Sequence, residues 1–417
     1  MRVKFADGFR ETFSSLHVRN FRLFFVGQGI SQVGNWLTLV TQTLLVLKLT
    51  GSGIAVGLMA AAQFAPVLLL GAWAGLVADR SNKRRLLITV QVFAMVQSFC
   101  LAALAFMHHP PLLAFYAVAF AGGITLAFDN PARRAFVVEL VAEDHVNNAV
   151  SLNSAVMTSS RIVGPALAGL LIHTVGYGWC FLADGLSYIA VLVGYGLMRS
   201  GELRSSVRTV RGKGQVREGL RYARRTPDLW IPLVMMAVVG SLTFNFQVVV
   251  PLLVKRTFHG GDIDFTMLFS VISLGSFIGA LAVARRKAIT VHHVVVSSLV
   301  FGIAMVAFAA APSLAWSFPV GLLVGVASIA FLTSTTAIVQ IQAAPAMRGR
   351  VLALQAMLFL GSTPIGGPIL GALCEWINPR AGVLVGGVAA LGAAGWGHFA
   401  SRDIRTVTER TPLASPA

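Results

Sequence analysis

The 417-residue chain holds 33 basic and 16 acidic residues, a net charge of +17, yet only 12% of its residues are charged against 56% hydrophobic. Soluble domains run near about a quarter charged, and a soluble chain of this length cannot hide so much apolar surface in one core, so a soluble enzyme, a secreted disulfide scaffold and a disordered chain are excluded. The apolar runs are about 20 residues long and continuous, which also excludes a transmembrane β-barrel, whose strands are short and alternate.

Twelve apolar segments are long enough to cross a bilayer. They are predicted near 22–47, 54–78, 86–107, 112–129, 149–173, 178–198, 229–254, 264–284, 291–311, 316–339, 351–376 and 381–400. The first, from near Phe21, is too long for a signal core and lacks a cleavage site. Segments 1–22, 79–85, 130–148, 199–228, 285–290, 340–350 and 401–417 hold 28 of the 33 basic residues, whereas the opposite loops hold only Lys48, Lys255, Arg256 and Arg380. That asymmetry predicts a multi-pass protein of the plasma (inner) membrane with both termini in the cytoplasm. It also argues against nucleic acid as a partner, because the positive charge is parcelled between spans.

The predicted organisation is an N-terminal six-helix bundle (1–198), a basic cytoplasmic linker (199–228), a C-terminal six-helix bundle (229–400) and a cytoplasmic tail (401–417). Within the linker, Val216–Arg225 sets Leu220 against Arg217, Arg221, Arg224 and Arg225. It reads either as an amphipathic helix lying on an anionic inner leaflet or as a solvated charge run. Gly164-Pro165 in the fifth span recurs as Gly367-Pro368 in the eleventh, 203 residues later, and Lys48-Leu-Thr50 recurs as Lys255-Arg-Thr257. Such offsets indicate a duplicated six-helix unit, the arrangement of transporters with a central site. Each Gly-Pro pair is expected to act as a hinge, since proline removes a backbone donor and glycine loosens packing.

Span 1 carries Gln28, Gln32, Asn35 and Gln42 within an arc of about 80°. Amides facing lipid are costly, so this stripe is expected to line an aqueous cavity, with interhelical bonding as the alternative. Span 7 offers Asn245 as the matching cavity residue. Arg161 is the one cation near mid-membrane, and Asp184 the one acid well inside a span. The two are read either as a structural ion pair or as an anion anchor beside a proton-carrying carboxylate. Asp129, with Arg133, is expected to join a gating network, and it shares with Asp184 the candidacy for proton coupling.

The loop Gly75-Leu-Val-Ala-Asp79-Arg80-Ser-Asn-Lys83-Arg84-Arg85 resembles the signature loop of the major facilitator superfamily, with Asn82 where that family usually has glycine. The resemblance implies an all-α membrane fold of twelve transmembrane helices in two pseudo-symmetric bundles. It also implies a gating role for Gly75, Asp79, Arg80, Lys83 and Arg84. Asn20-Phe21-Arg22, Gly27-Gln28, Gly34-Asn35-Trp36, Asn130-Pro131-Ala132-Arg133, Arg161 and Pro345-Ala-Met-Arg-Gly-Arg350 resemble the bacterial exporters that include enterobactin and macrolide efflux proteins. That branch implies secondary active export of an amphipathic organic molecule by proton antiport. Import of an anionic metabolite and a non-transporting sensor remain open alternatives.

No phosphate-cradling loop is present, so direct use of ATP is not expected. His108-His109 and His292-His293 lack metal-ligand spacing, and Cys100, Cys180 and Cys374 are expected to be buried small apolar residues. Neither metal nor cofactor is anticipated, and the expected state is a monomer.

Overall fold

The computed structural model describes residues 13–204, 215–284 and 289–410. The first twelve residues, the middle of the linker, residues 285–288 and the last seven residues of the expected tail lie outside the described residues. Helix α1 spans Arg19–Thr50, α2 Gly53–Arg80, α3 Lys83–Phe106, α4 Leu112–Glu139, α5 Val146–Thr174 and α6 Tyr177–Leu197. The linker helix α7 (Gln215–Arg225) follows, then α8 Pro227–Leu242 and α9 Phe246–Leu252, the latter prolonged by a π-helical turn at Leu253–Thr257. The remainder are α10 Asp262–Ala284, α11 Val291–Ala309, α12 Leu314–Gln342, α13 Pro345–Leu360, α14 Thr363–Trp376 and α15 Pro379–Arg410. No strand occurs among the described residues.

Eleven helical stretches among the described residues are long and apolar enough to cross a membrane. The 32-residue α1 has the length, but its five amides, Asn20, Gln28, Gln32, Asn35 and Gln42, dilute its hydropathy. Local chemistry sets the ends. Gly51 closes α1 in the left-handed conformation at φ 62°, its N–H bonded to Leu47 O. The carboxamide of Asn82 accepts from Arg85 N and caps α3, and Pro227 and Pro345 open α8 and α13.

The chain divides into two compact units. The first comprises the described residues of Met1–Gly51, Ala62–Arg211 and Asp262–Ser270. Its core lies at the arginine-rich end of the helices, where Phe21, Phe24, Ala78, Leu87, Phe136 and Tyr195 are buried together. Phe136 meets Phe24 and Tyr195 edge-on, at centroid distances of 6.1 and 5.9 Å.

The second unit comprises the described residues of Ser52–Ala61, Gly212–Gly261 and Val271–Ala417. In it the seventh predicted span breaks at Thr243–Asn245 and the eleventh at Gly361–Ser362. Phe244, in the first break, packs against Phe246, Phe301, Phe331 and Phe359 with centroids 5.0–6.4 Å apart. Backbones also approach closely: a methyl on Gly57 would lie 2.5 Å from Gly367 O, and one on Gly53 2.6 Å from Gly371 O.

Candidate functional site

The signature loop is built into the first unit by its cations. Lys83 is buried and pairs with Glu139 at 2.6 Å. Arg84 donates to Tyr195 O at 2.9 Å and Gly196 O at 3.2 Å, the last carbonyls of α6. A guanidinium there satisfies orphan acceptors and opposes the negative end of the helix dipole. These two cations therefore bind protein. Asn82 sits at φ −67°, a conformation that needs no glycine, so its departure from the family residue costs nothing in backbone strain. Gly75 and Asp79 are half-buried on the last turns of α2, and Arg80 is exposed at its end.

Next to this loop lies a paired charge cluster. Asp129 bonds Arg133 Nε at 3.0 Å and accepts from Gln91 Nε2 at 2.8 Å. Arg133 also donates to Asn130 Oδ1 and to Met157 Sδ. All three of Gln91, Asp129 and Arg133 are buried.

The amide stripe of α1 faces α6. Gln28 donates to Tyr195 Oη at 3.1 Å, Gln32 donates to Gln28 Oε1 at 3.3 Å, and Tyr188 Oη donates to Asn35 Oδ1 at 2.9 Å. Gln28, Gln32 and Gln42 are buried and Asn35 is exposed. Gln28 and Asn35 therefore bond to α6, the alternative the sequence offered, while Gln32 bonds along α1 to Gln28. Asn245 is likewise fully buried; its Nδ2 donates to Ser241 O at 2.7 Å and braces the break between α8 and α9.

Asp184 is 1% exposed on α6. Its Oδ2 accepts from Thr38 Oγ1 and from Ser98 Oγ, each at 2.7 Å, and its Oδ1 has no hydrogen-bond partner. Gly34 makes the room: a methyl there would stand 2.3 Å from Asp184 Oδ1. Helices α1, α3 and α6 thus converge on a carboxyl group surrounded by hydroxyls and by no cation among the described residues.

Arg161 does not reach Asp184. Its guanidinium lies over the Trp36 ring, 5.2 Å from the centroid, and its Nε has no hydrogen-bond partner. Trp36 in turn packs against Phe269 at 6.3 Å. Helix α5 runs unbroken through Gly164-Pro165. Gly164 serves there as a floor for Trp36, whose Cβ would meet a methyl at 2.5 Å. The break in the eleventh span precedes Gly367-Pro368 by several residues, and Gly367 itself packs on Gly57.

Thr38, Ser98, Tyr188 and Tyr195 are not among the residues the sequence singles out, and Trp36 enters there only through the exporter resemblance. Cys100, expected to be buried, is exposed, whereas Cys180 and Cys374 are buried. Among the described residues no cluster of ligating side chains could hold a metal ion.

Comparison with known proteins fits this architecture. The chain is 26% identical over 291 residues to the staphyloferrin A transporter of Staphylococcus aureus, covering 68% of this chain and 70% of that protein. It is 22% identical over 359 residues to macrolide efflux protein A of Streptococcus pyogenes, covering 85% and 88%. Its fold matches a bacterial homologue of the human lysosomal transporter Spinster with a TM-score of 0.71 at 16% identity, over 92% of this chain and 96% of that one. These relatives are transporters, not enzymes. Residues 10–409 match the transmembrane secretion effector family, and the chain belongs to that family of major facilitator superfamily transporters.

Proposed function

We propose that this transporter exports amphipathic organic molecules of drug or siderophore type across the plasma membrane by alternating access, in exchange for protons carried by Asp184. The observation that carries the reading is the setting of that carboxyl group: buried, held by Thr38 and Ser98, with one oxygen unpartnered. Such a group can gain or lose a proton without breaking an ion pair. Asp129 would first have to release Arg133, so it fits the gating cluster better than the coupling site. The names of the relatives support a drug or siderophore cargo, and the basic-loop asymmetry supports cytoplasmic termini. Arg217, Arg221, Arg224 and Arg225 of α7, which line a shallow pocket with Leu220, fit contact with an anionic inner leaflet. The reading also takes the protein to act as a monomer.

The test is flux of a radiolabelled macrolide and of ethidium in proteoliposomes, with and without an imposed pH gradient. Wild-type protein should concentrate the probe against its gradient only when protons can flow the other way. Asp184→Asn should abolish that accumulation while leaving downhill exchange of probe. Accumulation by Asp184→Asn at the wild-type rate would remove Asp184 from the mechanism.

A further inference from the structure

The face that α5 exposes changes along its length. In its first sixteen residues Asn147, Ser151 and Ser154 are exposed, and Thr158 and Arg161 half-buried. These five lie within an arc of about 80° at 100° per residue, with Val150 at its edge. Further along, the same face carries Pro165, Ala168, Gly169 and Ile172, all buried. It is covered there by Asp262–Ser270, which belongs to the same unit. A methyl on Gly169 would meet Thr266 Oγ1, and Ser270 Oγ donates to Ile162 O at 2.9 Å. Beyond Arg161 and before the last turn, where His173 and Thr174 are exposed, the exposed residues are Val163, Ala166 and Leu170; they lie on a different, mainly apolar face, which Ala155 and Ser159 expose earlier in the helix and which suits lipid.

Helix α1 behaves in parallel. Val26 and Ile30 are exposed, and Val33 and Trp36 half-buried, on one face about 120° wide. From Val40 to Leu47 every residue of α1 is buried. A helix bordering lipid would stay exposed through both leaflets, so exposure confined to one half marks an internal opening. That opening has a polar wall on α5 and an apolar wall on α1. Both end where Arg161 lies over Trp36, closed beyond by Asp262–Ser270.

We propose that these two faces line a water-filled vestibule, open at the arginine-rich end, and that Arg161 on Trp36 binds the anionic group of an amphipathic organic acid at its blind end. A cation this deep in a span needs compensation, and no carboxylate pairs with it among the described residues. The apolar wall accepts the body of the same molecule. The inference rests on the transporter reading and adds the chemical class of the cargo. Neither direction of transport nor proton coupling enters its test.

The test has two arms, both on the full chain with Cys100, Cys180 and Cys374 replaced by serine. In the first, single cysteines at Asn147, Ser151, Ser154 and Thr158 meet a charged, membrane-impermeant methanethiosulfonate, which reacts only in water. All four should be modified at least about tenfold faster than Val163→Cys or Leu170→Cys, because thiolate attack requires a hydrated thiol. Equal or faster reaction at Val163 and Leu170 would overturn the vestibule. In the second, binding of 1-naphthylacetate and of neutral 1-naphthylethanol is followed by calorimetry in nanodiscs. Wild-type protein should prefer the anion, and Arg161→Gln should weaken its binding about tenfold, the scale of one charge-assisted contact, while sparing the alcohol. Arg161→Lys, which keeps the charge, should retain most of the preference and guards against a folding artefact. An anion that binds Arg161→Gln as it binds wild type would overturn the assignment. Failure of either arm leaves gradient-driven flux unaffected, and failure of flux leaves both arms readable.

Discussion

The contact of Gly34 with Asp184 invites a quantitative test. Replacing Gly34 with alanine places a methyl 2.3 Å from Asp184 Oδ1 and 2.8 Å from Ser187 Oγ. The carboxylate cannot swing away freely, because two hydroxyls hold Oδ2 at 2.7 Å, so α1 and α6 must part. Overpacking of that kind costs roughly 1–3 kcal/mol, against roughly 0.5–1 kcal/mol gained by alanine over glycine inside a helix. The expected net loss is about 1–2 kcal/mol. Gly29 on the same helix has nothing within 4 Å of where its methyl would go, so Gly29→Ala should be neutral or slightly stabilising and serves as the control. Reversible unfolding in mixed micelles would measure both. In Gly34→Ala/Asp184→Ala the closest contact is removed and only that with Ser187 Oγ stays, so the double mutant should be about 1–2 kcal/mol more stable than the sum of the single changes predicts. If Gly34→Ala matches Gly29→Ala, or the cycle is additive, the close packing of carboxyl against glycine is not a feature of the folded protein.

The signature loop makes two further predictions. Lys83→Met should destabilise the protein by about 3 kcal/mol, because it takes the Lys83 cation away from the nearly buried Glu139, and Lys83→Met/Glu139→Met should recover most of the loss; unfolding midpoints that rank the double variant below the single one would refute the pairing. Asn82→Ala should cost about 1 kcal/mol through the lost helix cap and Asn82→Gly only a few tenths, a difference readable in the same unfolding assay; equal losses would show that the cap contributes nothing.

Much of the helical framework is legible in the sequence because length and hydropathy decide it, and the loop ends follow from Gly51, Asn82 and the prolines. The breaks in the seventh and eleventh spans were not legible. Thr243-Phe244-Asn245 contains neither glycine nor proline, and Phe244 packs against Phe246 of its own span and against three phenylalanines of other helices. The amide stripe of α1 shows the limit of helical arithmetic from the other side. The arc was computable, yet what it faces depends on α6, where Tyr188 and Tyr195, seven residues apart on one face, supply the partners. The polar face of α5 needed only the same arithmetic. The predicted span begins after Asn147, and the hydroxyls leading to Arg161 carry no charge to single them out in a membrane helix.

How this protein treats its intramembrane polar groups separates scaffold from site. Where a charge or amide has its complement at hand, it serves the scaffold: Asp129 pairs with Arg133 along α4 and ties α4 to α3 through Gln91, and Gln28 ties α1 to Tyr195 of α6; removing one partner of such a pair costs stability, and the pair gains nothing by changing state. Asp184 and Arg161 are different. Each is deep within a span and lacks an opposite charge among the described residues, although pairing them with each other would have relieved both. Folding the two apart forgoes an ion pair, and on the function proposed above it leaves one group to take a proton and the other to take an anion. Occupancy of Arg161 by an acidic cargo and protonation of Asp184 would then be separate events in one bundle. Both sites are touched from a single turn of α1, through Trp36 and Thr38, two residues apart, so under that proposal α1 is the element through which the two events would be coupled.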